Sequence, residues 1–464
     1  MLRFRYAALA VGLLVASPAA AQDAESMKQA AKAAMAQTGS MNGDVNFGMI
    51  DDDLFMTLNL GFSMDLGTIG FGVRVPLRLR LMDSDPQDEE YGSVLRREDW
   101  DEWTDYLKVI RYFRYGHKGD TFHLVVGELW GASLGHGTIV GNYYNNVDLD
   151  HFKVGLQIDI DTDYGGAETM MNNLFQPTLF GGRAYVRPWS FVDPDSYLNN
   201  FAVGFTTVSD VTAPYAVAAQ SADGGYPEVT EEKATTIIGG DIEFRVLNLS
   251  WLNLTPYMDL NGIVGAGIGY HAGILSVFHL PASINLTARI EYRYMNPDYI
   301  PAYFDSYYEI QKFAYPYKDE STGTEQQAPK RAVLERLGDK NLNGYWAELV
   351  FKFADLFILG ASYDDYDGPY NSNLRIYLDI PALEVIQFGA YYYRHNYEGA
   401  ADAFKFDEKS LFLVEARYQF TSFLYVVAQY WRIWQLDNDP ASGSYGSYVP
   451  VDDWSVGLGA SYTF

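Results

Sequence analysis

Residues 54–81 read LFMTLNLGFSMDLGTIGFGVRVPLRLRL, and the alternation in this stretch decides the fold. Leu54, Met56, Leu58, Leu60, Phe62 and Met64 are apolar, while Thr57, Asn59, Gly61, Ser63 and Asp65 lie between them. After Leu66-Gly67-Thr68 the rule resumes: Ile69, Phe71, Val73, Val75, Leu77, Leu79 and Leu81 interleave with Gly70, Gly72, Arg74, Pro76, Arg78 and Arg80. Successive strand side chains point to opposite faces, so each run has one greasy face and one wet face. The last segment repeats it, with Trp454, Val456, Leu458, Ala460, Tyr462 and Phe464 against Ser455, Gly457, Gly459, Ser461 and Thr463. Strands of soluble sandwiches run to about five or six residues. The runs here approach or exceed the ~9–11 residues that cross a bilayer at a tilt.

The connections alternate too. Short turns are expected near 66–68, 116–120, 247–251, 279–283, 355–356, 381–384 and 421–422, and long polar segments at 83–104, 132–151, 209–234, 297–343, 396–409 and 435–453. Short periplasmic turns and long external loops mark an outer-membrane barrel. Parity counted back from the C-terminus asks for a descending strand at 152–161, an ascending one at 166–174, a descending one at 179–187 and a first ascending strand near Asp44–Asp51. The expected fold is all-β: a transmembrane antiparallel up-and-down β-barrel of about 16–20 strands.

The N-terminus reads as an export signal. Arg3 and Arg5 precede the apolar run Ala7–Ala16, Pro18 breaks it, and Ala19-Ala20-Ala21 supplies small residues before a cut at Gln22. That run is shorter than the ~20 residues of a spanning helix. The expected division is a signal peptide at 1–21, a helical or loose periplasmic segment at 22–43 and the barrel at 44–464.

Composition excludes several classes of function. The 464 residues contain no cysteine, which removes disulfides, thiolate metal sites and thiol nucleophiles. With 33 Lys+Arg against 60 Asp+Glu the formal charge is −27, which argues against nucleic acid as a partner. Tyr is abundant at 37 residues and Phe at 27, far too apolar a mixture for a solvated coil. No HExxH, GxSxG, P-loop or GxGxxG fingerprint sits in a suitable context, and none of the seven histidines forms a catalytic spacing with Ser or Asp. No enzyme activity is expected.

The ending from Leu458-Gly459 through Tyr462-Thr463-Phe464, with aromatics at the last and third-last positions, resembles the C-terminal signal of bacterial outer-membrane β-barrel (porin-like) proteins. The resemblance implies residence in the outer membrane of a Gram-negative bacterium, contact with outer-membrane lipid, and recognition by the barrel-insertion machinery through the C-terminal strand. It names no solute.

Alternation places charges in the lumen. Arg74, Arg78 and Arg80 share a face, and Lys108 and Arg114 extend it. Turned outward, each would cost ~2–4 kcal/mol at the lipid midplane. These residues form either a basic ladder that orients solutes or a set of interior salt bridges with Asp159, Asp161, Glu243, Glu291 or Glu348. In Gly131–His151 the glycine spacing allows a tight inward tuck, which would bring His136, Tyr143, Tyr144 and Asn145 to passing solutes; an external cap is the alternative. The loop 297–343 carries Tyr299, Tyr303, Phe304, Tyr307, Tyr308, Phe313, Tyr315 and Tyr317, suited to stacking sugars, to a folded lid or to an aromatic girdle.

Asp339, Asn341 and Asn343 have the spacing of a calcium loop, but Val350 stands where the bidentate glutamate belongs, and an Asn-Gly turn explains the motif without metal. Asp159, Asp161 and Asp163 share similar spacing on an expected strand. Segment 83–104 is rich in Asp and Glu and would make the mouth acidic. The function expected is a porin-like outer-membrane channel for passive diffusion of small polar solutes or ions. The alternative is a structural or assembly barrel with a plugged lumen, serving export, adhesion or a surface complex.

Overall fold

A computed structural model describes residues 38–464 except 51–52, 83–93, 97–98, 101–102, 130, 147–152, 219–226, 282, 319–324, 355, 368–371, 384–385, 408, 438–442, 445–446 and 464. The expected signal peptide and all of 22–37 lie outside the described residues, as does the core of the acidic segment at 83–93.

Twenty strands close one antiparallel barrel. The first five are β1 Thr38–Ile50, β2 Asp53–Asp65, β3 Ile69–Met82, β4 Ile110–Tyr115 and β5 Phe122–Gly127. Next come β6 Gly155–Thr162, β7 Gly165–Met171, β8 Leu179–Val186, β9 Phe201–Asp210 and β10 Thr235–Phe244. Then follow β11 Leu252–Ile263, β12 Ile268–Leu280, β13 Ile284–Met295, β14 Leu342–Phe353 and β15 Phe357–Tyr366. The circuit ends with β16 Ser372–Leu383, β17 Ile386–Tyr397, β18 Ser410–Gln419, β19 Leu424–Leu436 and β20 Tyr448–Thr463. Each strand pairs with the next, and β20 returns to β1 from Ser40↔Thr463 to Gly48↔Ser455. Closure leaves no edge, so every strand satisfies its backbone hydrogen bonds inside the wall.

The strands inferred at 152–161, 166–174 and 179–187 correspond to β6, β7 and β8. The first strand starts at Thr38, ahead of the expected Asp44, and takes 38–43 from the expected periplasmic segment. The reason is closure: β20 runs on to Thr463, and its last residues need the start of β1 as partner. The turns near 66–68, 116–120, 247–251, 279–283, 355–356, 381–384 and 421–422 fall at one end of the barrel, and the long loops fall at the other. One link at the short-turn end is longer: 187–200 carries two short 3-10 helices, Pro188–Phe191 and Tyr197–Asn200.

The face assignment follows from register. Thr57 pairs with Arg78 and Gly61 with Arg74 on one face, while Leu58 pairs with Leu77 on the other. On the central wall, Ile290 is 65% exposed and Leu260 57%, whereas their neighbours Glu291 and Asp259 are 1% and 3% exposed. Apolar side chains therefore form the outer wall and charged ones the inner wall, as a bilayer outside and a polar interior require.

A large apolar core sits in the loop-end mouth, inside the ring of strands. Inward residues near the loop ends of the strands, Met170, Leu179, Val208, Ile237, Ile263 and Met295, pack against Leu129, Leu134, Ile139, Val140 and Tyr143 of the β5–β6 loop and against Tyr299, Tyr303, Phe304 and Tyr308 of the β13–β14 loop. The two loops join through a parallel bridge between Val140–Gly141 and Phe304–Asp305. Burying side chains of this size contributes roughly 1.5–3 kcal/mol each. Of the three readings open for the long tyrosine-rich loop, the folded lid is the one observed.

Candidate functional site: a loop-narrowed lumen

The basic face on β3 and β4 is in the lumen, and its members are paired. Arg74 Nη2 lies 3.2 Å from Glu128 Oε1, and Arg111 Nε lies 3.2 Å from Glu128 Oε2. Arg78 bonds Asp99, which also takes Arg96 at 3.3 Å. Arg80 reaches Asp53 at 3.3 Å and Arg114 reaches Asp65 at 2.8 Å. Each of these arginines has an acidic partner, and none of those partners is Asp159, Asp161, Glu243, Glu291 or Glu348. The acids used are Asp53 and Asp65 on β2, Asp99 in the β3–β4 loop and Glu128 just after β5, all within two strands of the arginines they meet. Lys108 falls in the 3-10 helix Trp103–Val109 and its side chain lies outside the described residues.

Asp159 faces the lumen from β6, 2.9 Å from His123 Nδ1, and accepts from Gln157 at 2.8 Å. Asp161, at the short-turn end of the same strand, accepts from Tyr185 Oη at 2.8 Å and Arg187 Nη1 at 2.9 Å. Both contacts of Asp159 fall on Oδ2 and both of Asp161 on Oδ1. The Asn343 side-chain amide donates to Asp367 at 2.9 Å and its carbonyl accepts from Tyr292 at 2.7 Å.

The β5–β6 loop tucks inward. Gly135 (φ +54°) and Gly137 (φ +80°) take left-handed conformations that other residues resist, and the tight turn between them drives His136 into the wall. His136 Nδ1 lies 2.7 Å from Asp259 Oδ1 and Nε2 lies 3.0 Å from Glu243 Oε2, while its ring stacks on Tyr257 at 4.1 Å. Burial opposes a charge on the imidazole, but Asp259 and Glu243 outweigh it and hold the pKa up at about 10. Around this clasp Thr138 donates to Asp259 at 2.7 Å, Arg289 donates to the His136 carbonyl at 2.6 Å, and the Gly135 amide donates to Glu168 at 2.7 Å. His136 is thus a cationic latch for the loop.

The other three constriction candidates divide by role. Tyr143 is fully buried and donates to Glu309 of the β13–β14 loop, so it joins the two loops. Asn145 is a clamp: its side chain accepts from the Leu129 amide at 2.9 Å and donates to the carbonyls of Lys153 and Asn172, each at 3.0 Å. Tyr144 stands beside the Glu128 pair; burial and Glu128 raise its hydroxyl pKa, while Arg74 and Arg111 pull it down. Glu309 is itself held far below the usual carboxylate range by Lys153 and Lys312, which override the upward push of burial. Lys312 lies 2.8 Å away.

Further along the β13–β14 loop, Tyr308 Oη donates to Asp210 of β9 at 2.6 Å, and Tyr307 stacks on Tyr393 of β17 with ring centroids 5.8 Å apart. These walls are eight strands apart around the ring. The loop therefore crosses the mouth and covers the sector from β5 to β17. Beyond it, from β18 through β20 to β2, the inward residues Glu415, Gln429, Ser455, Asp44, Asn46 and Asn59 are polar and only half-buried although they face the inside of a closed ring.

His136, Asp241 and Asp259 bring three potential metal-ligand atoms within 4.8 Å of one another. The set does not suit a metal, because Arg183 already grips Asp241 with two bonds, at 3.0 and 2.6 Å, and the charged imidazole engages Asp259. Sequence reasoning did not find Arg183, Tyr257, Arg289, Glu309 or Lys153, since their partners lie up to a hundred residues and more away in the chain. Alternation could have flagged Arg183, Tyr257 and Arg289 as inward-facing, but not what they touch.

A closed, even-stranded antiparallel barrel with an apolar outer wall and a polar interior is the outer-membrane type. It places this chain in the outer membrane of a Gram-negative bacterium. No family model and no curated protein matches the chain. Among solved structures it is similar to Pseudomonas aeruginosa OccK11 (OpdR), at 12% identity and TM-score 0.33 over 92% of this chain and 96% of that one. It is also similar to the outer membrane protein opdK of Pseudomonas aeruginosa, at 10% identity and TM-score 0.35 over 92% and 99%. The ferric enterobactin receptor PfeA from Pseudomonas aeruginosa aligns at 11% identity and TM-score 0.35 over 92% and 80%. At that level of similarity, the assignment rests on the barrel's own geometry.

Proposed function

We propose that the chain is an outer-membrane channel that passes small polar solutes, with a preference for cations, through the sector of the lumen beside the loop cap. The observation that supports this is the half-buried polar wall from β18 to β2, where inward side chains keep solvent contact inside a closed ring. That sector carries Asp44 and Glu415 against Arg417, and Asp379 stands at its border on β16, an excess of negative charge that raises local cation concentration. An acidic mouth formed by segment 83–104 would add to it. His123, His136 and His271 are each tied to wall carboxylates, so passive conduction rather than catalysis is proposed.

Purified protein in a planar bilayer tests the reading. Stable single-channel steps and a reversal potential shifted toward the cation value support it, and silent insertion of a folded barrel contradicts it. The folded tyrosine cap favours a second reading, an assembly barrel with its lumen closed. Silent insertion is the result that reading expects.

A further inference from the structure

Beneath the tyrosines one lumenal carboxylate stands alone. Asp379 faces inward from β16 and is 8% exposed, yet among the described residues no hydrogen bond or ion pair reaches it. A charge held this way without a partner is disfavoured, so the carboxylate either takes up a proton or is met by a cation from the lumen. On the next strand Asp379 is level with Gly389, and on the one after that Gly389 is level with Glu415. A Cβ at Gly389 would meet nothing within 4 Å, so open space lies between the two acids. Two strand spacings put their backbones roughly 10 Å apart, leaving room for a small organic group.

The surroundings narrow the ligand class. Glu415 is held by Gln429, whose carbonyl takes the Ser455 hydroxyl at 3.1 Å, so its carboxylate is positioned from behind by one neutral amide backed by a hydroxyl. Arg417, two residues further along β18, lies over the Tyr425 ring at 3.3 Å from the centroid. One inward step above Asp379 and Gly389 stand Tyr377 and Tyr391, which pack together with Tyr307. Aromatic rings next to carboxylates suit an ammonium joined to methylenes, which combines N–H donors with an apolar, cation-attracting stem. Two carboxylates supply too few oxygens for Ca²⁺, which takes about six to eight ligands.

We propose that Asp379 and Glu415, either side of Gly389 and below Tyr377 and Tyr391, form a lumenal subsite for ammonium-bearing organic cations. The subsite rests on the channel reading for its role in transport, but binding can be measured without transport. The probe is 1,4-diaminobutane. Its binding to the full-length, detergent-solubilised barrel is followed by titration calorimetry, and its block of potassium current is followed in planar bilayers. Wild type binds saturably, Asp379→Asn weakens binding tenfold or more, Glu415→Gln weakens it less, and Asp379→Glu retains it. Resistance of each barrel to SDS at room temperature verifies folding. Binding without any current sinks the channel reading and leaves the subsite standing. Absence of saturable binding, or equal affinity in wild type and Asp379→Asn, overturns the subsite even in a conducting barrel.

Discussion

Tyr307 and Tyr308 are adjacent in sequence and hold opposite walls of the barrel: Tyr307 stacks on Tyr393 of β17, and Tyr308 donates to Asp210 of β9. Two consecutive residues thus act as a strut across the mouth. The strut fixes how far the lid extends, and so which part of the bore stays wet.

Removing one end of the strut should widen the passage. Tyr308→Phe deletes the hydroxyl and leaves Asp210, 1% exposed, without that donor. An unsatisfied buried acceptor costs about 1–3 kcal/mol, enough to loosen a loop without unfolding a twenty-strand ring. Single-channel recordings should show larger or noisier steps than wild type, with SDS-resistant mobility unchanged.

The face assignment makes a sharper demand. Leu58→Arg directs a charge into lipid and should impair insertion, at a cost of ~2–4 kcal/mol near the midplane. Thr57→Ala, one residue away on the wet face, should insert as wild type. Comparable losses of folded barrel in both variants, read by gel mobility after reconstitution, would contradict the register.

The latch has a defined pH dependence. The pKa of His136 is raised in the folded state to about 10, above the ordinary ~6.5 of an unfolded chain. Its contribution is therefore complete below about pH 6.5 and is lost as the pH rises through about 10. The difference in thermal stability between wild type and His136→Gln should shrink steadily over that interval. A constant difference from pH 6.5 to pH 10 would show that the imidazole is not charged in its clasp.

Arg183 and Asp241 form a doubly bonded pair on the wall, and Gly204 makes room for it: a Cβ there would come within 2.3 Å of the Asp241 carboxylate. Arg183→Met should destabilise the barrel by about 3–5 kcal/mol, because it strands a buried acid. Adding Asp241→Leu should recover much of that loss, and urea titrations in lipid vesicles would measure both.

Period-two alternation was enough to read the barrel, because a membrane outside and water inside impose opposite demands on successive residues. Leu58 and Arg78 could be assigned to faces without any structure. The division of the lumen was not legible in the same way. The tuck of His136 depends on Asp259 and Glu243, more than a hundred residues away, and periodicity carries no information about which loop enters which ring. Arg74, Arg78 and Arg80 share one face in the register of β2 and β3, but their partners Glu128, Asp99 and Asp53 could not be read from alternation, which gives a face and not a depth. Asp379 drew no attention because an isolated acid on a strand looks the same in sequence whether or not anything pairs with it.

Because the chain contains no cysteine, access to the lumen can be mapped directly. Gln429→Cys places a thiol on the uncovered wall, and Met170→Cys places one beneath the cap. A cationic, membrane-impermeant thiol reagent added from the long-loop side should modify Gln429→Cys rapidly and reduce its current, while leaving Met170→Cys unmodified. Equal protection of both thiols, or reaction at Met170→Cys alone, would contradict a half-covered conducting lumen.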